Sequence, residues 1–371
     1  MRILVSGGKT GGHLIPGIAL FEEFVRRGHD CRYMMAATDL RFPVAARVPE
    51  NSRYLVELSG ISRRLSWRTP FFLLKILGAF SRVFGQVREI KPDAVVITGG
   101  YISNPVALSA ILSGVPLYIA EQNSVAGVTN RFYAKFARKI FTNFPDTRRI
   151  PPSKAVVTGS PGLFHSIVER EYSRRFFGLE AFGRVVGVTG GSQGAKKLNN
   201  AVLSVLPALR ERGIGVVWSA GSVDYDRMER EGILADIRKR FDHVQVFQFI
   251  ERMDLFYSAC DAVVSRAGAS VFSEFVHFGI PSVLVPIEHS PDDHQLLNAK
   301  FLSEHGAALL LEERDMSPET LLSAVQSSID ENARLREGVL ALRDKYFQSP
   351  SAARIAAFIE ADRSAESGAK S

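Results

Sequence analysis

The sequence predicts an α/β protein built from two Rossmann-like domains that face each other across a cleft. Two observations carry this prediction. A strand that ends in a glycine-rich turn and leads into a helix occurs at the start of the chain and again from Val185, about half a chain later. The 371 residues, 46% of them hydrophobic and 23% charged, are also enough for two domains with cores of their own.

The stretch Asp261–Asn298 shows this pattern most fully. Ala262–Ser265 is a short β-branched run, typical of a strand buried on both faces of a parallel sheet. A turn with Gly268 follows, and we expect a helix that Ser270 caps. The start of such a helix suits a phosphate, and Glu274, one turn further on, could accept hydrogen bonds from sugar hydroxyls. An ordinary strand–helix–strand unit with a solvated Glu274 explains the same residues equally well.

The loop Gly7–His13 separates the first strand from a helix expected at Pro16–Arg27. Its Gly-Lys-Thr triplet is not a Walker A motif, because the glycine needed five residues ahead of the Gly-Lys pair is Ile3. Its spacing also departs from the dinucleotide fingerprint. What remains is a flexible loop that lets a diphosphate or a sugar approach the backbone, with Thr10 and His13 at its edge. For His13 taken alone, a capping or packing role is the simpler interpretation.

Two further strands of the first half end in polar or glycine-rich segments, Gly99–Tyr101 and Glu121–Asn123. Ligands of open α/β sheets bind outside the carboxyl ends of the strands. We therefore expect both segments to line one cleft together with Gly7–His13.

The second half repeats the design at Gly190–Gly194, after a linker expected at Ser160–Gly162. We expect domains at 1–162 and 163–340, outer C-terminal helices at 341–363 and a disordered tail at 364–371. Asp224 and Asp226 form a DxD pattern, which we interpret as a chance match in a polar loop.

The charge of the chain is divided unevenly between its two halves. Residues 1–160 carry 22 lysine and arginine residues against 10 aspartate and glutamate residues, and the remainder carries 24 against 29. A basic first half indicates contact with a polyanion or with an anionic membrane surface. Nucleic-acid-binding signatures are absent from the sequence, which favours the membrane and predicts no nucleic-acid partner.

Residues 62–88 are the clearest candidate for that contact, because aromatic and basic side chains alternate there without an acid. Such a helix can lie among lipid headgroups and attract anionic inner-leaflet lipids. A core helix with solvated basic residues is the alternative. The expected membrane-contacting residues are Trp67, Phe71, Phe72, Lys75, Phe80 and Arg82.

The remaining features place the protein on the cytoplasmic side. The first strand begins at the first residue, so we expect no secretory signal, and no apolar run reaches the ~20 residues of a membrane-spanning helix. Cys31 and Cys260 are far apart and are expected to be buried thiols. The eight histidines lack the spacing of a zinc site, so no metal is expected.

Seven motifs, in this order along the chain, resemble the MurG family of N-acetylglucosaminyltransferases of peptidoglycan synthesis. The resemblance spans residues 1 to about 340, and each motif alone is weak. The motifs are GGKTGGHLIPG (7–17), GGYISNP (99–105), EQNSVAGVTN (121–130), TGSP (158–161), GGSQGAKKLNN (190–200), RAGASVFSE (266–274) and HQLLNA (294–299).

The resemblance implies a GT-B glycosyltransferase fold and inverting transfer of GlcNAc from UDP-GlcNAc to the MurNAc of lipid I, undecaprenyl-pyrophosphoryl-MurNAc-peptide. The product would be lipid II, with a β-1,4 link, made without a cofactor or metal by a peripheral enzyme of the inner membrane. A cell-wall synthesis complex is a further expected partner, with roles in cell shape and division.

The matching positions imply a set of donor-binding residues. Ile250 would present its backbone to uracil, Ala269 and Ser270 would bind the diphosphate, and Glu274 would bind ribose. The full set implied by the resemblance is Thr10, Gly11, Gly12, Asn123, Ser192, Gln193, Ile250, Ala269, Ser270, Glu274, Gln295 and Asn298.

Inverting transfer needs a base for the acceptor hydroxyl and positive dipoles for the departing UDP. His13 is the candidate base, and Glu121 is the second candidate or the group that orients His13. The chain departs from the family at Lys9, where a glycine is usual, and at Leu163, where an arginine is usual.

Three other functions remain open at this point: a GT-B transferase for another lipid-linked acceptor, a UDP-GlcNAc 2-epimerase, and a non-catalytic scaffold that binds a nucleotide sugar. An epimerase would not need the stretch 62–88. A scaffold need not retain both glycine-rich loops together with His13.

Overall fold

The computed structural model describes residues 1–57, 69–163, 167–347 and 350–368, with the side chains of 69–77 and 367–368 left out. The chain divides into two compact units, Met1–Leu163 with Ser349–Ser371, and Phe164–Gln348. Both units are open parallel sheets covered by helices, as the alternation of strand and helix signals predicts.

In the first unit, the described strands form one parallel sheet in the order β3-β2-β1-β4-β5-β6-β7. The strand order reverses at β1, which pairs with β2 on one side and β4 on the other. The strands are β1 (Arg2–Gly7), β2 (Asp30–Ala36), β3 (Arg53–Val56), β4 (Ala94–Gly99), β5 (Leu117–Glu121), β6 (Lys139–Thr142) and β7 (Ala155–Val157).

The helices of this unit cover both faces of the sheet because successive strand residues point to opposite faces. Ile3 and Val5 belong to one core cluster, and Leu4 belongs to another. This explains why the strands read as continuous apolar runs rather than alternating ones. The helices are α1 (Gly11–Arg26), α2 (Thr69–Ile90), α3 (Ser103–Leu112) and α4 (Val128–Tyr133).

The second unit repeats this arrangement, with its described strands in the order β10-β9-β8-β11-β12-β13 and the reversal at β8. The strands are β8 (Arg184–Thr189), β9 (Ile214–Ser219), β10 (Val244–Phe247), β11 (Ala262–Ser265), β12 (Ser282–Leu284) and β13 (Ala308–Leu310). The helices are α5 (Arg170–Phe176), α6 (Lys196–Glu211), α7 (Ser222–Arg230), α8 (Ile233–Arg240), α9 (Met253–Ala259), α10 (Ala269–Phe278), α11 (His294–Glu304), α12 (Pro318–Asp330) and α13 (Asn332–Tyr346).

The last helix, α14 (Ser351–Gly368), returns to the first unit, where Ile355 and Ile359 are fully buried in its core. Ion pairs from Arg138 to Asp362 and Glu366 hold its end. The expectation of disorder from residue 364 is therefore wrong as far as Gly368, because these contacts order the helix. No helix in the described ranges is long and apolar enough to cross a membrane.

Several expected elements differ in detail. α1 begins at Gly11 instead of Pro16, and α10 begins at Ala269 with Gly268 instead of Ser270 as its N-cap. Gly268 has a φ of −64°, so it occupies the cap in a conformation open to any residue. The expected polar loop around Asp224 is instead the first part of α7.

Candidate active site

The carboxyl ends of β1 and β4 bring two glycine-rich segments of the first unit into contact. A Cβ on Gly100 would lie 2.5 Å from the carbonyl oxygen of Gly8, and the φ of Gly100 is +82°. Only glycine allows this approach without strain. Gly7–His13 and Gly99–Tyr101 therefore meet at one edge of the sheet, as expected.

His13 lies in the first turn of α1 and is partly exposed. Its Nδ1 lies 2.9 Å from the carbonyl oxygen of Thr98, while the Thr98 hydroxyl donates to the His13 carbonyl at 2.7 Å. Because a carbonyl oxygen only accepts, Nδ1 carries the proton in this bond, and the neutral ring has its lone pair on Nε2. Nε2 is thus the atom that could take a proton from an acceptor hydroxyl.

Glu121 has a different place from the one expected. Its carboxylate is buried and accepts from the backbone N–H groups of Asn123 (2.9 Å) and Gly127 (3.0 Å) and from the side chain of Asn130 (2.8 Å). The partner of His13 Nδ1 is the Thr98 carbonyl, so the expectation that Glu121 orients His13 is wrong. Glu121 instead fixes the loop after β5, which presents Asn123.

The donor residues expected on the first loop surround the N-terminus of α1. Thr10 is its extended N-cap residue and is exposed, Gly12 is exposed, and Gly11 is partly exposed. The preceding residue, Lys9, has a φ of +77°, a conformation that L-residues rarely adopt. Its backbone N–H donates to the Asp39 carboxylate at 2.8 Å, which stabilises this turn.

The second unit carries its glycine-rich loop, Gly190–Gly194, at the carboxyl end of β8. Ser192 and Gln193 are both exposed there. The backbone N–H and the hydroxyl of Ser222 both donate to the Ser192 carbonyl, at 3.0 and 3.1 Å. The neighbouring turn after β9 thus holds the loop in place.

The expected diphosphate contacts, Ala269 and Ser270, lie in the first turn of α10, where the helix dipole gives partial positive charge. Arg266, just ahead of this turn, is buried and forms an ion pair with Glu313. The guanidinium beside Glu313 lowers the pKa of that carboxyl, although burial opposes the shift. This ion pair stabilises the turn that precedes α10.

Glu274 is partly exposed on α10, and its carboxylate accepts a hydrogen bond from the buried hydroxyl of Tyr257. Burial raises the pKa of Glu274, and the Tyr257 bond opposes that rise. Ile250 is buried after the exposed Phe249, at the carboxyl end of β10. Glu274 therefore lies on α10, and Ile250 lies in the segment that follows β10.

The two amides expected to bind the sugar differ in their surroundings. The Gln295 side chain is partly exposed and accepts from the backbone N–H of Ile287 at 3.0 Å. Asn298 is buried, and its Nδ2 donates to the Ala267 carbonyl at 3.1 Å. In this structure Asn298 supports the turn before α10, and its contact with the sugar stays a prediction.

The expected membrane residues are only partly covered by the structure. Trp67 lies outside the described residues, as do the side chains of Phe71, Phe72 and Lys75 on α2. Phe80 is half-buried, with its ring 6.0 Å from that of Phe84, and Arg82 is exposed.

Sequence reasoning missed the residues that position the site: Asp39, Thr98, Ser222 and Tyr257. Asp39 follows β2, whose neighbour in the sheet is β1, so its place at a strand end was a usable signal. The backbone carbonyl of Thr98 accepts the hydrogen bond from His13 Nδ1, and no sequence pattern predicts such a backbone contact. Within the described ranges, no group of three or more histidine, cysteine, aspartate or glutamate side chains could hold a metal ion.

Most of the chain matches known protein families and known proteins. Residues 3–142 match the glycosyltransferase family 28 N-terminal domain, and residues 185–349 match the family 28 C-terminal domain. The UDP-N-acetylglucosamine–N-acetylmuramyl-(pentapeptide) pyrophosphoryl-undecaprenol N-acetylglucosamine transferase of Bacillus subtilis (strain 168) is 32% identical over 95% of this chain and 97% of its own length. The protein of that name from Chlorobaculum tepidum is 34% identical over 91% and 93%.

Solved structures agree with this placement. The crystal structure of Acinetobacter baumannii MurG has a TM-score of 0.71 and 28% identity, and the match covers 94% of this chain and 96% of that one. The kitacinnamycin glycosyltransferase, at 17% identity, has a TM-score of 0.70 over 97% and 98% and supports the fold alone. The predicted two-domain glycosyltransferase fold is confirmed, and the chain belongs to glycosyltransferase family 28.

Proposed function

We propose that this protein transfers GlcNAc from UDP-GlcNAc to the MurNAc of undecaprenyl-pyrophosphoryl-MurNAc-peptide, with inversion, to form a β-1,4 link. The observation that carries the proposal is the match to the Bacillus subtilis transferase over 95% of this chain and 97% of that protein. A match of this length includes both units, so it includes both glycine-rich loops.

The geometry of the first unit supplies a base for the acceptor hydroxyl. With Nδ1–H held by the Thr98 carbonyl, Nε2 of His13 can accept the proton as the hydroxyl attacks the anomeric carbon. The carbonyl also stabilises the charged ring that results. Asn123, held by Glu121, and the loop residues Thr10, Gly11 and Gly12 would contact the donor sugar from this unit.

The second unit supplies stabilisation for the leaving UDP. Negative charge develops on the diphosphate as the glycosidic bond breaks, and the N-terminal end of α10 at Ala269 and Ser270 favours that charge. Ser192 and Gln193 would bind the phosphates, and Ile250 would bind uracil through its backbone. Glu274 would accept from ribose, and Gln295 and Asn298 would hold the sugar.

The decisive assay measures UDP release from UDP-GlcNAc, with and without a short-chain lipid I analogue, in EDTA. Release that depends on the acceptor supports the transferase proposal, and its persistence in EDTA supports a reaction without a metal. Release together with a free sugar and no acceptor would indicate an epimerase. UDP-GlcNAc binding with no turnover would indicate a scaffold, and turnover with a different lipid-linked sugar would change the acceptor.

A His13→Ala variant tests the base. We expect kcat to fall by about 10²–10⁴-fold with UDP affinity nearly unchanged, because the ring acts only on the proton. His305→Ala is the matched control, since His305 is exposed and its Nδ1 also lies near a backbone carbonyl, that of Phe301 at 2.8 Å. Near-normal turnover of His13→Ala would exclude His13 as the base.

The first unit also has a surface suited to a membrane of anionic lipids. α4 and the residues after it expose Val128, Phe132 (61%) and Phe136 (49%), with Arg131 and Lys135 between them. α4 packs beside α3, which packs beside α2, the helix that carries the sequence-predicted contact. Exposed aromatic side chains among basic ones suit the headgroup region of the inner leaflet. A peripheral enzyme held there would reach a lipid-linked acceptor and work beside other cell-wall enzymes.

Vesicle sedimentation tests this surface. We expect Phe132→Ser with Phe136→Ser to lower binding to vesicles that contain anionic lipid, and salt to lower it further. Phe176→Ser is the matched control, since Phe176 is 56% exposed in the second unit. Equal loss from both variants would contradict a membrane surface on α4.

A further inference from the structure

The carboxylate of Glu274 is held at one oxygen only. Oε2 accepts the hydrogen bond from the Tyr257 hydroxyl, and Oε1 has no hydrogen-bond partner among the residues that the structure describes. The Glu274 side chain is partly exposed, whereas Tyr257 is 1% exposed. One oxygen is thus attached to the core, and the other remains available to a ligand.

The position of the Tyr257 hydroxyl is fixed by aromatic packing. Its ring lies edge to face with Phe275, at 5.8 Å between centroids, and 5.0 Å from the ring of Phe278. Phe275 and Phe278 belong to α10, the same helix as Glu274, while Tyr257 belongs to α9. The ring contacts therefore set the distance between the hydroxyl and the carboxylate, and the side chain has little freedom to turn away.

The chemistry of the pair gives this contact a definite effect. A hydroxyl that donates to a carboxylate favours the ionised form, while burial favours the neutral form. Burial raises the pKa of Glu274, and the Tyr257 bond limits that rise. The pKa of Tyr257 is itself well above its ordinary value, so the hydroxyl keeps its proton and remains a donor.

We propose that Tyr257 is a positioning residue that holds one oxygen of Glu274 and thereby presents the other to the ribose hydroxyls of the nucleotide donor. The inference rests on the proposed function, which places the ribose at Glu274. Ribose recognition then depends on the Tyr257–Glu274 pair, because a Glu274 carboxylate without the Tyr257 hydrogen bond would be free to rotate.

The test uses the full chain and measures binding of two probes by calorimetry, UDP and 2′,3′-dideoxyuridine diphosphate. For Tyr257→Phe we expect about tenfold weaker binding of UDP, in line with the loss of a hydrogen bond to a charged group. Binding of the dideoxy probe should be unchanged, because it has no ribose hydroxyls for Glu274 to accept from. Equal loss with both probes, or no loss with UDP, would overturn the proposal.

Kinetics give a second readout that a purely structural role would not move. In Tyr257→Phe, KM for UDP-GlcNAc should rise more than kcat falls. The acid limb of kcat/KM for UDP-GlcNAc should also move to higher pH, because the lost bond lets the pKa of Glu274 rise further. An unmoved acid limb would contradict the proposal even if KM rises.

Two further variants separate the inference from the proposed function. Phe278→Leu removes one of the two ring contacts that fix the Tyr257 hydroxyl, so any loss it causes should fall on UDP and not on the dideoxy probe. Glu274→Gln should weaken UDP binding and spare the dideoxy probe. If Glu274→Gln binds UDP normally, the donor site itself is misplaced. If it binds poorly and Tyr257→Phe binds normally, only the inference about Tyr257 fails.

Discussion

The two glycine-rich loops occupy the same place in their units but are held by different chemistry. Each follows the strand at which the sheet order reverses, and each is held by the segment after the neighbouring strand, β2 or β9. In the first unit the holding group is the buried carboxylate of Asp39, which accepts from the N–H groups of Lys9 and Ala36. In the second unit it is a neutral contact between Gly221, Ser222 and the loop.

This difference determines how each loop responds to change. A buried carboxylate can be neutralised by a proton, and burial raises the pKa of Asp39. The contact at Gly221 has no ionisable group and depends on the close approach of two backbones. We therefore expect the position of the first loop to depend on pH and the position of the second loop to depend on the size of the residue at Gly221.

The largest effect should come from Gly221→Ala. Gly221 has a φ of +82°, and an added Cβ would lie 2.0 Å from the backbone nitrogen of Gly194. Because backbone cannot move aside as a flexible side chain can, we expect a cost of about 3 kcal/mol or more. Thermal unfolding of the second unit and UDP affinity should both show the loss.

Gly232→Ala is the matched control for that prediction. Gly232 has a similar φ of +73°, but nothing lies within 4 Å of an added Cβ. It should cost only the strain of a left-handed residue, about 1 kcal/mol, and leave UDP affinity unchanged. If both variants behaved alike, backbone conformation and not the contact with Gly194 would hold the loop.

Asp39→Asn should have the next largest effect, and on the first loop alone. Lys9 and Ala36 donate to different oxygens of Asp39, and an amide has an NH₂ group in place of one of them. One buried N–H therefore loses its acceptor, which costs about 1–3 kcal/mol. We expect turnover to fall while UDP affinity changes little. Asp30→Asn, at the first residue of β2 and with a half-exposed side chain, is the control.

The pH dependence of the same variant sharpens the comparison. Because the pKa of Asp39 is raised in the folded state, its contribution to stability is largest below the ordinary aspartate value and is lost as pH rises through the raised value. The stability deficit of Asp39→Asn should therefore be larger in acid than at neutral pH, as measured by thermal unfolding across pH. A deficit that does not vary with pH would mean that Asp39 is not titrated in this range.

The sequence predicted those features of the two loops that depend on neighbouring residues in the chain. Both loops follow short apolar runs, and the helix expected after Gly268 is present as α10. The holding groups could not be predicted in the same way. Asp39 is 30 residues from Lys9, and its role depends on β2 lying beside β1.

Weak local strand signals explain why the holding groups could not be predicted. β2 has the sequence DCRYMMA, with no β-branched residue to mark it, and β13 has only three residues. Tertiary neighbours stabilise both strands where local propensity does not. Tyr257 and Glu274 likewise lie on different helices, so their contact follows from packing and not from spacing.

The smallest effect should come from Ser222→Ala, which tests whether the second loop depends on its hydroxyl at all. The backbone N–H of Ser222 would still donate to the Ser192 carbonyl, so only one of two donors is lost. A single exposed hydrogen bond contributes about 0.5–1 kcal/mol, which corresponds to two- to fivefold weaker UDP binding. Ser204→Ala, an exposed serine of α6, should have no effect on UDP binding. A loss in Ser222→Ala as large as that of Gly221→Ala would mean that the Ser222 hydroxyl, and not the close approach of the backbones, holds the second loop. Both loops would then be held by polar side chains, and the difference between them would be only that Asp39 can be titrated.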